Sequence, residues 1–301
     1  MELQEILKTV NLKSVVIGTE LHTTMRANDI FALYNLALNN TQAFPKHSTQ
    51  MRETCLSDAS KEFAGGTVKN FIEQGKGFVD MQDFLKEKEK FKDLYLKLNS
   101  EIAKISPMRK RRYSEHDGEW SLERQWEQAP FSNTYRTNEG IKPTLKINVD
   151  FNFRGDVKSD KITKYGCFVW VIIDAIESSG ITCEVIQLKA NDVSNYLSGD
   201  LKNKVKIARV FTKIKDAGEY VDAASIARCF TSQFYRRGLF TAMQVRFEEF
   251  NTHCHEGLGA PLNHTAKNKK GELNINIDDV TNPNQEKIVK AVLGAITRKE
   301  C

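Results

Sequence analysis

No stretch of this 301-residue chain approaches the ~18 consecutive apolar residues that a membrane-spanning helix needs. The N-terminal "MELQEILKTV" reads as a short amphipathic helix with two acidic residues and no cleavage site, which argues against a secretory signal. A cytoplasmic protein is therefore expected. Disulfide scaffolding is missing too: the six cysteines (55, 167, 183, 229, 254 and 301) are scattered, with no CxxC spacing. Cys167, Cys183 and Cys229 fall in apolar segments, where buried free thiols are the default. No glycine-rich phosphate loop appears, because "EFAGGTVKN" lacks the GxxxxGK[ST] spacing and Gly65–Gly66 lie between helices. GxSxG, HExxH and paired-carboxylate signatures are absent as well, which removes the familiar hydrolases and metalloproteases.

What is present describes a soluble globular chain, with 40% hydrophobic and 28% charged residues. Its length suits one large domain or two small ones. The net charge of +5 permits a nucleic-acid partner without demanding one.

Patterning divides the chain into three. Residues 1–105 read as helical: Asn28 is placed to cap "DIFALYNLALNN", short helices follow at "SDASKEFAGG" and "TVKNFIEQGKG", and a long one runs from about Asp80 to Ile105. Residues 106–143 form a connector that is basic, poor in aliphatics and bounded by Pro107 and Pro143, with a short helix near Ser121–Glu127. Residues 144–301 alternate strands (144–153, 181–188, 204–213, 272–280) with helices (160–178, about 222–235, 284–299), the pattern of an α/β domain with partly parallel pairing. Residues 239–250 fit strand and helix equally.

One detail qualifies this. Strands covered on both faces should be nearly continuously apolar. In "TLKINVDFNF" Leu145, Ile147, Val149, Phe151 and Phe153 alternate with Lys146, Asn148, Asp150 and Asn152, and 272–280 alternates likewise. One sheet face is therefore expected to be polar, meeting either solvent or the N-terminal region across a wet interface.

The succession of a strand ending in Asp150, a polar turn, a long apolar helix ending in Ser-Ser-Gly and the strand "ITCEVIQL" resembles the start of a von Willebrand factor A-like domain over residues 144–299. That family's first strand carries an Asp-x-Ser-x-Ser ion motif, completed by a Thr and an Asp from later loops. The resemblance puts Asp150 at the first ligand, Asn152 at the first Ser and Arg154 at the second, with Asp192 and Asp216 as later aspartates. An arginine in place of a hydroxyl implies a degenerate ion site. The "GEW…RQW" connector ahead of such a domain is similar to uncharacterised bacteriophage-encoded proteins, which implies a non-catalytic viral accessory role.

Other candidates carry weaker chemistry. His253, Cys254, His255 and His264 offer zinc-type ligands without a second nearby cysteine, and a polar loop explains them equally well. Cys254 beside His255 also has the residue types of a nucleophile and its base, although sequence neighbours seldom have the geometry. Asp278–Asp279 read first as a cap for the next turn. Trp120 and Trp126 either anchor the connector or stack on bases. No cofactor is expected.

The basic residues say more. Between Lys86 and Arg112 there are ten Lys or Arg and four acids. Within this stretch "MRKRRY" places Arg109, Lys110, Arg111 and Arg112 beside Tyr113, a run suited to phosphate backbones. Lys202, Lys204, Lys206, Arg209, Lys213 and Lys215 form a second cluster and Lys267, Lys269 and Lys270 a third, with Arg236–Arg237 elsewhere. Trp120 and neighbouring aromatics supply stacking platforms of the kind that single strands need. The leading expectation is a nucleic-acid-binding accessory protein that favours single-stranded DNA and serves a polymerase, with no membrane partner. A protein–protein adaptor comes second. A metal-dependent enzyme built on Asp150 or on His253 and His255 comes third.

Overall fold

The computed structural model describes residues 13–40, 55–78, 81–105, 144–219, 223–250, 252–254, 260–262, 268, 270–281 and 285–297, and the backbone alone at 111–114, 119–120 and 133–136. The fold is α/β. It opens with the strands β1 (Lys13–Ile17) and β2 (Glu20–Arg26), which turn at Gly18, a residue in the left-handed region at φ 59°. Helices α1 (Ala27–Asn39), α2 (Lys61–Ala64), α3 (Val68–Gly75), α4 (Gln82–Glu89) and α5 (Lys92–Ile105) follow. Next come three short strands, β3 (Arg111–Ser114), β4 (Glu119–Trp120) and β5 (Asn133–Arg136), paired as a small antiparallel sheet in the order β3-β5-β4. Then β6 (Thr144–Asp150), α6 (Ser159–Ser178), β7 (Thr182–Asp192), β8 (Leu197–Gly199) and β9 (Ile207–Lys215) lead to α7 (Ala223–Cys229). A π-helical segment (Phe234–Leu239), α8 (Phe240–Glu249), β10 (Thr252–Cys254), β11 (Ala260–Pro261), β12 (Glu272–Ile275), α9 (Asp278–Thr281) and α10 (Gln285–Thr297) complete the chain.

The main sheet runs β1-β2-β9-β7-β6-β12, with β11 paired to the far end of β7. One end of it is parallel, β6 lying between β7 and the edge strand β12. Strand β9 runs antiparallel to β7 and parallel to β2. The division expected at residue 106 does not hold for the core. Strands β1 and β2 extend the main sheet, and buried residues from Leu21 to Ala295 form one continuous apolar cluster. The alternation of Leu21, Thr23 and Met25, all buried, made β2 a strand in a region that reads as helical. The connector likewise carries strands, while Ser121–Glu127 lies outside the described residues.

Helix α6 is the spine. Eleven of its twenty residues are buried, because the sheet packs on one side of it and α4 and α5 on the other. Phe91 of the α4–α5 junction meets Phe168 with ring centroids 5.6 Å apart, and the junction breaks the expected single helix into two. Gly166 lets α6 approach the α7 end closely: a Cβ there would lie 2.4 Å from Cβ of Phe230. Residues 239–250 resolve as helix α8.

Two consecutive arginines pin the N-terminal half to the sheet half. Arg236 donates to the carbonyls of Phe63, Gly155 (3.0 Å) and Val157 (2.7 Å). Arg237, with 0% exposure, donates to the carbonyls of Cys55 (2.8 Å), Ser57 (2.9 Å) and Gly66 (2.8 Å). The π turn presents both side chains inward, towards the β6–α6 turn and the 55–66 segment.

Candidate functional site: the open face of the sheet

Register assigns each strand residue to one of two faces. Leu145, Ile147 and Val149 of β6, Val185 and Gln187 of β7, Ala208 and Val210 of β9 and Leu21 and Met25 of β2 are buried beneath the helices. The alternate residues form the other face and are half-buried or exposed, apart from Leu188 and Ala190. Across that face run Val15 and Ile17, then Glu20, His22, Thr24 and Arg26, then Ile207, Arg209, Phe211 and Lys213, then Glu184 and Ile186, then Lys146 and Asn148, and finally Glu272 and Asn274. The polar face expected from alternation is therefore real, and it opens outward.

Its charges are interlocked. Arg209 donates to both carboxylate oxygens of Glu20, from Nε at 2.8 Å and Nη2 at 2.9 Å, and His22 Nε2 lies 2.7 Å from the same carboxylate. The Arg209 hydrogen bonds hold the Glu20 carboxyl down at about 2, against the opposing effect of its partial burial. Lys213 bridges Glu184 at 3.0 Å and Asp216 at 2.6 Å, and Asp216 also binds Arg26. Lys146 lies 3.8 Å from Glu272, and Asn148 donates to the Asn274 side chain at 3.1 Å. Among these sits an aromatic contact, with the His22 and Phe211 rings 5.4 Å apart. Partly exposed single-contact pairs of this kind contribute only ~0–1 kcal/mol each. The face thus carries ring surface, amides and paired cations.

The ion site implied by the von Willebrand-like resemblance takes a different form. Asp150 Oδ1 accepts from the backbone and side-chain nitrogens of Asn152, and the Asn152 side-chain oxygen accepts from Ala190 N. Both residues close the strand end, a task that ties them to β7. Arg154 is 81% exposed with Asp156 at 3.9 Å, and Asp216 lies at the opposite end of the sheet from Asp150 because β9 is antiparallel to β7. Asp192 is occupied by Ser194, from N at 3.0 Å and Oγ at 2.6 Å. Among the described residues no three His, Cys, Asp or Glu side chains gather as metal ligands. His253 is on β10 opposite Ser198, while His255 and His264 lie outside the described residues. Asp279 accepts from Asn276 N at 3.0 Å, a contact with the residue three positions before it and not with the turn that follows.

The cationic candidates separate. Arg236 and Arg237 are corrected: both are buried on backbone carbonyls and are unavailable to phosphate. Arg209 is on the open face but engaged by Glu20. Lys204 and Lys206 are exposed in the turn before β9. Arg111, Arg112 and Tyr113 are on β3 and Trp120 is on β4, whereas Arg109 and Lys110 lie outside the described residues.

Two buried lysines carry no signal in the sequence that sets them apart from surface ones. Lys189, 1% exposed, donates to Tyr235 Oη at 2.8 Å and sits 4.1 Å and 4.6 Å from the Tyr235 and Phe240 ring centroids. Burial pulls its ammonium down to about 7, with Asp150 acting in the other direction. Lys215, also 1% exposed, reaches Glu177 at 2.9 Å. A bulge between Val185 and Ile186 turns it to the covered face. The thiols of Cys55, Cys167 and Cys229 are pushed up to about 12 by burial, and that of Cys183 higher still, so none is a nucleophile at neutral pH.

Fold and face together define an α/β protein with, among the described residues, helices on one side of its sheet and a polar, half-buried face on the other. The chain belongs to the family described as Domain of unknown function (DUF7192), whose model matches residues 19–299 and so spans both halves and the connector. No curated protein and no solved structure matches it. Among the described residues, no helix is long and apolar enough to cross a membrane.

Proposed function

We propose that this protein is a non-catalytic nucleic-acid-binding accessory protein that favours single strands, with the open sheet face as the platform for bases. The observation that carries the reading is that face. Phe211 and His22 are in ring contact on a surface flanked by amides and by cations held in ion pairs. Base–aromatic stacking contributes ~1–3 kcal/mol per base and tolerates any sequence. The face itself is nearly charge-neutral, so long-range attraction falls to the Arg109–Arg112 run and to exposed Lys204 and Lys206. A bacteriophage setting and a polymerase partner follow from the resemblance noted in the sequence and belong to the same proposal.

Fluorescence anisotropy with labelled single- and double-stranded oligonucleotides at two salt concentrations tests it. Single strands should bind more tightly, and added salt should weaken them steeply. Phe211→Ala should cost about tenfold in affinity, on the scale of one lost stack. Replacing Arg109, Lys110, Arg111 and Arg112 by Ala should flatten the salt slope. Absence of binding to either oligonucleotide at low salt refutes the reading.

An adaptor role has its own observation. Edge strand β1 exposes Val15 (53%), Val16 (40%) and Ile17 (55%), and among the described residues its outer edge pairs with no strand, the sort of edge that accepts an extended partner strand. Recovery of a protein partner after nuclease treatment, lost on Val16→Lys, would favour it.

A further inference from the structure

Strand β6 ends beneath a cleft that the open face does not share. It is about 620 Å³, within the range of small-ligand sites, and lies between α4 and the first turns of α6. Lys158, just before α6, and Lys161 and Lys164 in its first turns line it, joined by Lys90 from the α4–α5 junction. Glu87, Asp156 and Asp160 also line the cleft, with Glu87 taken up by Lys90 and Asp156 beside Arg154. Lys158, Lys161 and Lys164 form no ion pair among the described residues. Four lysines thus stand against three carboxylates, and the lining keeps a net positive charge that favours an anion. The cleft also stands beyond the carboxyl ends of the parallel neighbours β6 and β12, the end of parallel strands at which α/β sheets take ligands. Val157 and Val280 supply an apolar wall.

We infer that this cleft binds a small polyphosphate-bearing anion, with Lys158, Lys161 and Lys164 as its ligands. Free polyphosphate and a nucleoside polyphosphate share that chemistry, and Val157 and Val280 give the second a place for its base. The site uses no residue of the open sheet face, so it stands or falls independently of single-strand binding.

Titration calorimetry of the full chain with sodium tripolyphosphate and, separately, with ATP at low ionic strength decides the matter. One-to-one saturable binding is expected for at least one of them, weakened tenfold or more in the Lys161→Gln/Lys164→Gln double variant. Glutamine keeps the helix and removes only charge, and a thermal melt of the free variant verifies the fold. Lys69→Gln/Lys76→Gln removes equal charge from exposed positions in and just after α3, away from the cleft, and should leave affinity within twofold. Tighter binding of ATP assigns base contact to the valine wall, whereas equal affinity assigns the phosphates alone. No saturation with either compound, an unaffected cleft variant, or equal weakening by the control pair overturns the inference.

Discussion

Lys189 makes a quantitative claim about pH. Its ammonium is held at about 7 in the fold against 10.5 in the unfolded chain. Between those values the unfolded state binds the extra proton, so stability must rise with pH across this window. Below it the native state must bury a charge, and the full penalty applies. The slope approaches ~1.4 kcal/mol per pH unit once the native lysine is neutral. The four buried thiols work the other way: an unfolded thiol ionises near 9.0 while the buried ones stay protonated, so stability is lost above that pH. The clean interval therefore runs from about pH 7 to about 8.5, where the gain amounts to about 1.5 kcal/mol. Urea unfolding at several pH values in this interval should show the midpoint climbing. Lys189→Met fills the same volume without the charge, so its midpoint should be higher at pH 7 and nearly flat with pH. The gain at pH 7 is offset in part by the two ring contacts, each ~0.5–2 kcal/mol, which favour the ammonium. A flat or falling wild-type curve, or an unchanged slope in Lys189→Met, would refute the reasoning.

Arg237→Ala leaves the carbonyls of Ser57 and Gly66 without their donor in a buried place and that of Cys55 with Tyr34 Oη alone, and should lower unfolding free energy by ~3–5 kcal/mol in urea titrations. Arg237→Lys should recover little, since one ammonium cannot reproduce the fork. Glu20→Gln tests the open-face network: the carboxyl's depressed value means its stabilisation is complete above about 4.5 and lost as pH falls towards 2. Because the pair is partly solvated, the cost at neutral pH should be only ~1 kcal/mol, vanishing in acid. A deficit that persists at pH 2 would sink that assignment.

The elements that the sequence made legible were those with one strong period. Helix α6, the β6 alternation and the terminal helix α10 all fall within a few residues of their expected places. What stayed hidden depended on partners distant in sequence. "ELHTTMR" alternates well enough for a strand, yet only the edge of β9 makes it one. Lys215 sits one step out of phase with Lys213, and the bulge that reconciles them is visible only in the pairing with β7. Arg236 and Arg237 looked like surface cations because a basic pair beside glycine usually is one. Their burial depends on a π turn and on carbonyls 79 to 182 residues away in the chain.

That burial bears on function. A sheet with helices on a single side must hold its second face by cross-strand pairs alone, and here those pairs are ionic and amide contacts of low individual energy. The strong, desolvated interactions (Arg237 on three carbonyls, Lys215 on Glu177, the aromatic group around Phe151 and Tyr235) all lie on the covered side. Stability is thus concentrated on the covered side, and losing any one pair of the outward face costs the domain little. Phe211 and Ile186 on that face are half-buried, while Ile147, Val185 and Val210 beneath the helices are fully buried.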